Sequence, residues 1–322
     1  MRTWRDALER DDLPCELIVT VGNFDGIHTG QRRILDLVIA RARQTGLGSA
    51  VVTFEPHPLS ILRPGEAPPM LTTPEQKESL LAESGIDELV LVRFTPGFSR
   101  FPARRFVHDF LVGRLAAREI YVGTSFAFGR DREGDLSLLQ VMGDSFGFAA
   151  HGCEEVSLGD APVSSTRIRR AVAAGDVDAV SAMLGRPYAL TGIVVRGDGR
   201  GRGLGWPTAN LEVDNDLLPA DGVYVTRLRI PAVDEDLPSV TNVGTRPTVY
   251  AEHPRLVECH VLDFDRDIYG ERVELELLRR LRGERKFPSV EVLRQQIGQD
   301  VEAAREYFEA ASCYQERGEG GG

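Results

Sequence analysis

The stretch ELIVTVGNFDGIHTGQRRILDLVIARARQTG, residues 16–46, decides the fold of the first half of the chain. Its opening, ELIVTVGNF, is a continuous apolar run typical of a buried strand. The following GQRRILDLVIARARQTG spaces its apolar residues as on one face of a helix and ends at Gly46, a common helix terminator. A buried strand that leads directly into an amphipathic helix predicts a parallel sheet with helices packed against it.

The same alternation continues along the first half of the chain. SAVVTFEP, DELVLVRF and REIYVG predict strands, whereas the segments near TPEQKESLLAESG and ARRFVHDFLVGRLA predict helices. Repeated strand–helix alternation is typical of an α/β fold in which helices cover both faces of a parallel sheet. We therefore expect a first domain over residues 1–184.

From about Gly185 the pattern changes to short β-rich segments separated by turn residues. These segments are YALTGIVVRG, GVYVTRLRI, SVTNVG, LVECHVLDF and RVELELLRRL. Their spacing predicts an antiparallel barrel or sandwich over residues 185–311. SVEVLRQQIGQDVEAAREYFEAA predicts a closing helix, and residues 312–322 are expected to form a disordered tail.

Composition limits the classes of partner. The formal net charge of −11 argues against broad binding to nucleic acid or to an anionic membrane. Apolar runs stay far below the ~20 residues of a membrane span, and the charged N-terminus has no signal-peptide core, so we expect a cytoplasmic protein. The four cysteines form no CxxC pair and fit reduced thiols. A polyanionic ligand must therefore meet a local site, which favours a small phosphorylated molecule.

The turn between the first strand and helix is a candidate phosphate site. It holds six residues with that potential: Gly22, Asn23, Phe24, Asp25, Gly26 and His28. Such a turn directs backbone N–H groups and a positive helix end towards a ligand above the sheet edge. His28 could donate a hydrogen bond to a phosphoryl oxygen. The alternative is that Asn23 and Asp25 only cap the helix and that His28 is an ordinary surface residue.

A second candidate phosphate site lies in VSSTRIRRAVAAGDVDAV. Ser164, Ser165 and Thr166 precede a predicted amphipathic helix that carries Arg169 and two further arginines. Hydroxyl groups at a helix cap followed by arginine could hold a triphosphate. The alternative is an ordinary N-cap with solvated arginines.

The third candidate is the glycine-rich run GDGRGRGLGWPTAN, residues 197–210. Gly197, Gly201 and Gly205 allow positive φ values and a close approach of backbone to a ligand. Arg200 and Arg202 could meet phosphate charge. The run lacks the lysine of a P-loop and the helix that follows a dinucleotide fingerprint. The alternative is a flexible hairpin with solvated arginines.

The run ends on Pro207, Thr208 and Asn210. Pro207 fixes the backbone before Thr208, and residues two apart in an extended chain point to the same side. A hydroxyl and an amide carbonyl in that arrangement suit Mg²⁺ held between protein and phosphates. The alternative is a turn threonine followed by a capping asparagine.

Several motifs together resemble the bacterial bifunctional riboflavin kinase/FAD synthetase family. In chain order they are GNFDGIHTGQ, TFEPHP, YVGTSFAFGRDREGD, SSTRIR, GRPYALTGIVVRGDGRGRGLGWPTANL, GVYV, TNVGTRPTV, VECHVLDFDRDIYG and LRGERKFPSVEVLRQQIGQD. The resemblance extends from about Leu17 to about Phe308. It implies a Rossmann-like nucleotidyltransferase domain that makes FAD from FMN and ATP, and a β-barrel kinase domain that makes FMN from riboflavin and ATP with Mg²⁺.

The resemblance also implies roles for individual residues. Glu258 corresponds to the catalytic base of the kinase, and His28 and Arg169 to catalytic residues of the adenylyltransferase. Asn242 corresponds to a residue of the nucleotide pocket. The residues implied to border the flavin are Ser125, Phe128, Arg282, Glu284 and Phe287. Without the resemblance, Glu258 would be interpreted as an outward-facing strand residue.

The chain departs from the family at the first site. Gln31 stands where the family has a second histidine, and Ser125 and Ala127 stand where a carboxylate or amide and a basic residue are expected. Gln31 can still donate a neutral hydrogen bond to the nucleotide. Two alternatives therefore stay open beside the bifunctional enzyme: a riboflavin kinase with an impaired or repurposed first domain, and a non-catalytic flavin- or nucleotide-binding regulator. The expected partners are riboflavin, FMN and ATP, with neither nucleic acid nor membrane, for a monomer or transient homo-oligomer.

Overall fold

The computed structural model describes residues 1–197, 200–231, 235–245 and 255–319, leaving the side chains of Arg200, Arg202 and residues 312–319 undescribed. The chain divides into two compact units, Met1–Ser165 and Thr166–Gly322. Within the described parts, no helix combines the length and the apolar character needed to cross a bilayer.

The first unit is built on a six-stranded parallel sheet in the order β1-β4-β3-β2-β5-β6. Its strands are β1 (Arg2–Trp4), β2 (Leu17–Val21), β3 (Gly48–Glu55), β4 (Glu88–Arg93), β5 (Glu119–Gly123) and β6 (Ala149–Cys153). A small antiparallel pair follows, made of β7 (Ser157–Leu158) and β8 (Ala161–Pro162). The chain winds from β2 to β3 and β4 on one side, then resumes with β5 and β6 on the other.

Helices cover both faces of this sheet, as the sequence predicts. They are α1 (Thr29–Thr45), α2 (Pro58–Leu62), α3 (Pro74–Ser84), α4 (Ala103–Arg105), a π-helical segment (Phe106–Val112) and α5 (Leu136–Phe146), with 3₁₀ turns at Ala7–Glu9, Phe98–Arg100 and Arg130–Arg132. One apolar core joins Ile18 and Val51 of the sheet to α1 and α3. The other joins Val19 and Val52 to the π-helical segment and α5. Because successive strand residues face opposite sides, burial on both faces requires the continuous apolar runs seen in the sequence.

The second unit is a closed antiparallel barrel in the order β10-β13-β12-β11-β14-β9. Its strands are β9 (Tyr188–Val195), β10 (Ala209–Val213), β11 (Gly222–Ile230), β12 (Glu235–Thr245), β13 (Arg255–Val261) and β14 (Arg272–Gly283). Its helices are α6 (Ser165–Ala174), α7 (Val177–Leu184), α8 (Arg200–Leu204) and α9 (Val290–Glu319). Closure leaves no exposed sheet edge, which resolves the choice between barrel and sandwich.

The helix α6 contacts the barrel directly. The guanidinium of Arg280 donates to the carbonyl of Ala174 at 3.1 Å, and the amide of Ala220 donates to the carbonyl of Val172 at 3.2 Å. These contacts explain why residues 166–184 group with the second unit. The sequence-based boundary after residue 184 stays a prediction.

The closing helix α9 packs on the outer face of the barrel. Val301 and Ala304 of α9 lie against Val223, Val225 and Val240. The backbone of α9 continues to Glu319 and so includes residues 312–319, for which we expected a disordered tail; residues 320–322 lie outside the described residues. Glutamine, glutamate and arginine in this segment favour continuation of a helix.

Closure of the barrel depends on a close approach at Gly192. A Cβ atom added there would lie 2.2 Å from the Glu212 carbonyl oxygen and 3.0 Å from the Val213 Cα. We therefore expect Gly192→Ala to lower the free energy of unfolding by about 3 kcal/mol, because neither backbone atom can move without disturbing β10. Thermal or urea unfolding would measure this loss.

The matched control is Gly283→Ala in β14, where the added Cβ would meet only a flexible arginine nitrogen at 3.8 Å. Equal stabilities for the two variants would contradict this account of barrel closure.

Candidate active sites

The first candidate site lies at the carboxyl end of the parallel sheet, where the strand order reverses. β2 lies between β3 and β5. After β2 the chain adds β3 and β4 on one side of it, and it later adds β5 and β6 on the other side. In open parallel sheets, ligands bind in the crevice at such a switch point. The turn between β2 and α1 borders this crevice, and so does the segment that follows β5.

Asp25 holds the turn after β2 in place. Its side chain is 2% exposed and accepts hydrogen bonds from the amides of Leu71, at 3.0 Å, and Thr72, at 3.2 Å, and from the Thr72 hydroxyl. The Ser165 hydroxyl donates to the Asp25 carbonyl at 3.0 Å. The Asp25 carboxylate is thus surrounded by donors of the protein itself, which suits a structural role in shaping the turn. Phe24 is buried in the core below it.

His28 and Gln31 form a capping box at the start of α1. The amide of Gln31 donates to His28 Nδ1, and Gln31 Oε1 accepts from the His28 amide, both at 3.3 Å. Because Nδ1 accepts, the proton of the neutral imidazole lies on Nε2. Gln31 Nε2 also donates to the Asn23 carbonyl at 3.0 Å. The Gln31 amide therefore ties both ends of the turn together, a use that the sequence alone did not indicate.

The remaining residues predicted near the first site divide between the two units. Ser164 and Ser165 belong to the first unit, where Ser165 contacts the turn. Thr166 and Arg169 lie on α6 and belong to the second unit. Arg169 and Thr166 therefore stay predicted nucleotide contacts.

The segment after β5 ends in an aromatic cluster. Ser125 is exposed, whereas the Phe128 ring is 7% exposed and stacks on Phe126 at 5.3 Å. Other rings of the cluster lie at or beyond the ends of two strands: Phe54 is the penultimate residue of β3, and Phe94, Phe98, Phe101 and Phe106 follow β4. The sequence analysis missed these phenylalanines, although their recurrence at the ends of predicted strands and just beyond was a usable signal.

Lys77 is a further residue that the sequence analysis missed. It lies in the first turn of α3, half-buried, with Asp25 and Glu55 as its nearby carboxylates. Burial lowers the pKa of Lys77, and these carboxylates partly oppose that effect. No local sequence pattern marks it, since its environment comes from three separate segments.

The second candidate site is a row of residues across the outer face of the barrel. In register, Asn210 of β10 pairs with Glu258 of β13, and Glu258 pairs with Asn242 of β12. The row continues through Val223 of β11 to Arg282 of β14. Directly paired residues share one face of a sheet, so Glu258 lies between two asparagines. Its neighbours Val257 and Cys259 are buried, which directs Glu258 away from the barrel interior.

The glycine-rich run lies against the end of this row. A Cβ atom added at Gly197 would lie 2.2 Å from Asn210 Nδ2, and one added at Gly201 would lie 2.9 Å from Thr208 Oγ1. Gly205 has a φ of +89°, which only glycine adopts readily. Glycine is therefore needed here because backbone passes directly over Asn210 and Thr208. Residues 198 and 199 of the run lie outside the described residues.

A cavity of about 380 Å³ opens beside Thr208. Its lining is formed by Val194, Pro207, Thr208, Ala209, Cys259, Val261 and residues 264–269. Burial raises the pKa of the Cys259 thiol, which the hydroxyls of Thr241 and Ser239 contact. The cavity thus combines apolar lining residues with the charged Asp265, Arg266 and Asp267, and it has the Thr208 hydroxyl at its edge.

The residues expected to border the flavin occupy the other end of the row. The Arg282 guanidinium forms hydrogen bonds of 2.7–3.1 Å with Asp300 of α9, so it joins the helix to the barrel. The Phe287 ring lies 5.6 Å from the Arg282 guanidinium carbon. The Glu284 carboxylate would lie 2.9 Å from a Cβ added at Gly244. Flavin contacts of Arg282, Glu284 and Phe287 stay predictions.

Metal binding at the second site would depend on neutral oxygen donors. Among the described residues, no group of three or more His, Cys, Asp or Glu side chains is arranged to hold a metal ion. The Thr208 hydroxyl and the Asn210 amide oxygen are hard donors that suit Mg²⁺ when phosphates and water complete its shell. The glycine backbone lies directly against both side chains, because a Cβ atom at Gly197 or Gly201 would clash with Asn210 or Thr208.

Comparisons with known proteins agree with this architecture. A family model described as FAD synthetase matches residues 11–167, and one described as riboflavin kinase matches residues 184–308. The bifunctional riboflavin kinase/FMN adenylyltransferase of Escherichia coli strain K12 is 38% identical over 291 residues, 90% of this chain and 92% of the relative. Its Bacillus subtilis counterpart is 33% identical over 298 residues, again covering 90% of this chain and 92% of the relative.

A solved structure described as a macrolide-efflux protein from Streptococcus pneumoniae matches with a TM-score of 0.86 at 31% identity. The match covers 94% of this chain and 98% of that protein, so it includes most of the residues of each unit. Together with the two family models and the curated relatives, these findings place the chain in the bifunctional riboflavin kinase/FMN adenylyltransferase family.

Proposed function

We propose that this chain catalyses two successive reactions. In the barrel, riboflavin and ATP give FMN and ADP; in the parallel-sheet unit, FMN and ATP give FAD and pyrophosphate. The observation that carries the proposal is the row Asn210–Glu258–Asn242, which lies beside bare glycine backbone on the barrel. Family membership supports both activities.

Glu258 is the proposed base of the kinase reaction. The 5′-hydroxyl oxygen of the ribityl chain attacks the γ-phosphorus of ATP, the bond to the β,γ-bridging oxygen breaks, and the hydroxyl proton passes to the Glu258 carboxylate. A hydroxyl nucleophile needs such an acceptor. The strand register places Asn210 and Asn242 on either side of Glu258, and their amide groups add no charge there.

We assign the nucleotide to the glycine-rich run and the adjoining cavity. Amides of the run can approach the phosphates because Gly197 and Gly201 carry no side chain. The cavity of about 380 Å³ offers Phe264 and Tyr269 for stacking on a base. We also assign phosphate contacts to Arg202, whose side chain lies outside the described residues.

Mg²⁺ is part of this proposal, with Thr208 and Asn210 as its protein ligands. When bound, the ion would neutralise charge on the phosphates during transfer. Thr208 comes just before Ala209, the first residue of β10, and Asn210 comes just after it. One stretch of extended backbone therefore holds both side-chain oxygens. Their role is to bind and orient, while Glu258 on the next strand handles the proton.

The first site requires different chemistry. The FMN phosphate attacks the α-phosphorus of ATP and pyrophosphate leaves, so the nucleophile is already ionised and no protein base is needed. The turn at residues 22–28 supplies backbone amides at the start of α1, and His28 donates from the protonated Nε2. We assign Ser164, Ser165, Thr166 and Arg169 to the triphosphate. Ser125 and Phe128 remain proposed flavin contacts.

The departure at Gln31 is compatible with activity. Gln31 preserves the turn by bonding to both His28 and Asn23. Loss of one imidazole would slow adenylyl transfer without abolishing it, since a single hydrogen-bond donor of this kind typically contributes ~10²–10³ to the rate. The alternative is a riboflavin kinase with an inactive first domain. Absence of FAD formation from FMN and ATP would establish that alternative.

The cellular setting is also proposed. We expect the enzyme to work in the cytoplasm, where ATP and reduced thiols are available, as a monomer or transient homo-oligomer. Fractionation and analytical ultracentrifugation would test these two points.

Replacing Glu258 tests the kinase assignment. We expect Glu258→Gln to lower kcat for riboflavin phosphorylation by ~10²–10⁴, because the amide cannot take the hydroxyl proton. FAD formation from supplied FMN should stay unchanged. The matched control is Glu212→Gln, an exposed glutamate on the neighbouring strand β10. Unchanged kinase turnover in Glu258→Gln would refute the base, and riboflavin binding without ADP release by the wild type would favour the regulator.

Replacing His28 tests the adenylyltransferase assignment, and here the kinase reaction is the one that should be unaffected. We expect His28→Ala to slow FAD formation from FMN and ATP by ~10²–10³ and to leave riboflavin phosphorylation intact. His108→Ala, an exposed histidine of the same unit, is the control. Chromatography of the products separates FMN from FAD. FAD formation by the wild type no faster than by His28→Ala would leave only the kinase.

A further inference from the structure

The glycine-rich run is joined to the closing helix by Arg294 of α9. Arg294 Nε donates to the carbonyl of Leu204 at 3.1 Å, and its terminal nitrogen donates to the carbonyl of Gly203 at 3.4 Å. Both carbonyls belong to the last residues of the short helix α8. A helix leaves its final carbonyls without intrahelical partners, so Arg294 supplies donors that α8 lacks.

Trp206 provides a second connection at the same place. Its indole belongs to the apolar cluster under α9, and a Cβ added at Gly298 would lie 3.8 Å from it. On its other side, the ring meets His260 of β13 edge-on at 5.4 Å. His260 Nδ1 is hydrogen-bonded to the Pro207 carbonyl at 2.8 Å, so Nδ1 carries the proton. Residues 203–207 are thus held on three sides immediately before Thr208.

We propose that Arg294 is a positioning residue of the kinase reaction, through which α9 holds the glycine-rich run over the nucleotide. The proposal rests on the proposed kinase function. Arg294 acts on carbonyls of the run, and Thr208 and Asn210 follow that run directly. A shift of about 1 Å in groups that hold a substrate can cost ~10² in rate, so a loosened run would weaken ATP binding and transfer.

This role is separable from anchoring the helix. α9 is also held by the Arg282–Asp300 pair and by apolar contacts with Val223, Val225 and Val240. Arg294 itself is exposed, so removing it creates no cavity. Its planar guanidinium reaches two neighbouring carbonyls at once, which a lysine ammonium does less well.

The test compares Arg294→Ala and Arg294→Lys with a matched control, Arg279→Ala. Arg279 lies 5.1 Å over the Tyr307 ring of α9, so its loss weakens a helix contact far from the run. We expect Arg294→Ala to lower kcat/KM for ATP in riboflavin phosphorylation by about 10- to 100-fold, mainly through KM, as for a lost hydrogen bond from a charged group. Arg294→Lys should recover part of the loss, and Arg279→Ala should match wild type.

A second readout does not require turnover. In a Trp4→Phe background Trp206 is the remaining tryptophan of the chain, since the sequence has two. Its fluorescence should respond to ATP and Mg²⁺ at higher nucleotide concentration in Arg294→Ala than in the Arg294 parent. FAD formation from FMN in each variant, together with thermal unfolding, confirms an intact protein.

The outcomes separate this inference from the kinase assignment. A wild type that makes no FMN would refute the kinase, and the fluorescence titration would then decide on Arg294 alone. Wild-type kinetics and wild-type titration in Arg294→Ala would overturn the inference, as would equal losses in Arg294→Ala and Arg279→Ala. Should Arg294→Ala unfold, the Arg294→Lys variant decides by the same comparison.

Discussion

The second site depends on the register of three neighbouring strands in the closed barrel. Backbone hydrogen bonds pair β10 with β13 and β13 with β12, and that pairing alone sets Glu258 between Asn210 and Asn242. A slip of one residue would turn Glu258 into the barrel interior, where Thr226, Ser239 and Thr241 are buried. Closure keeps this register, because the last strand returns to the first and no edge is left to slide. Gly192 permits it by letting β9 lie within van der Waals contact of β10.

In the proposed reactions, the two sites would meet phosphate charge by different means in a protein of net charge −11. The first uses the backbone of a strand-to-helix turn, which the buried Asp25 fixes through donors on another loop. The second brings glycine backbone over a strand, and Glu258 is its proposed proton acceptor. This difference follows from the nucleophiles: a phosphate is already ionised at neutral pH, whereas an alcohol must lose its proton.

Several residues have uses that local sequence does not display. Asp25 and Arg282 stay predicted ligand contacts, and each also bonds to partners from distant segments: Asp25 joins a turn to a loop, and Arg282 joins a strand to a helix. In the sequence, Gln31 replaces a histidine of the family and so removes one imidazole from the first site. In the structure, Gln31 completes a capping box with His28. The short strand β1 escaped prediction because three mostly polar residues at the start of a chain carry no periodic signal. Charged and amide side chains form hydrogen bonds with the groups that the fold brings close to them. Spacing along the sequence does not show which groups those will be.

The sequence by itself determined the class of each half, the main alternation of strands and helices in the first half, and the motifs that mark the family. These follow from periodic burial, from the backbone freedom of glycine and from caps, all of which act over a few neighbouring residues. Only the tertiary structure decided that the second half closes as a barrel, that α6 contacts it, and that Glu258 lies between two asparagines. Those features depend on contacts between residues far apart in the chain, and no local pattern specifies which strand will lie beside which.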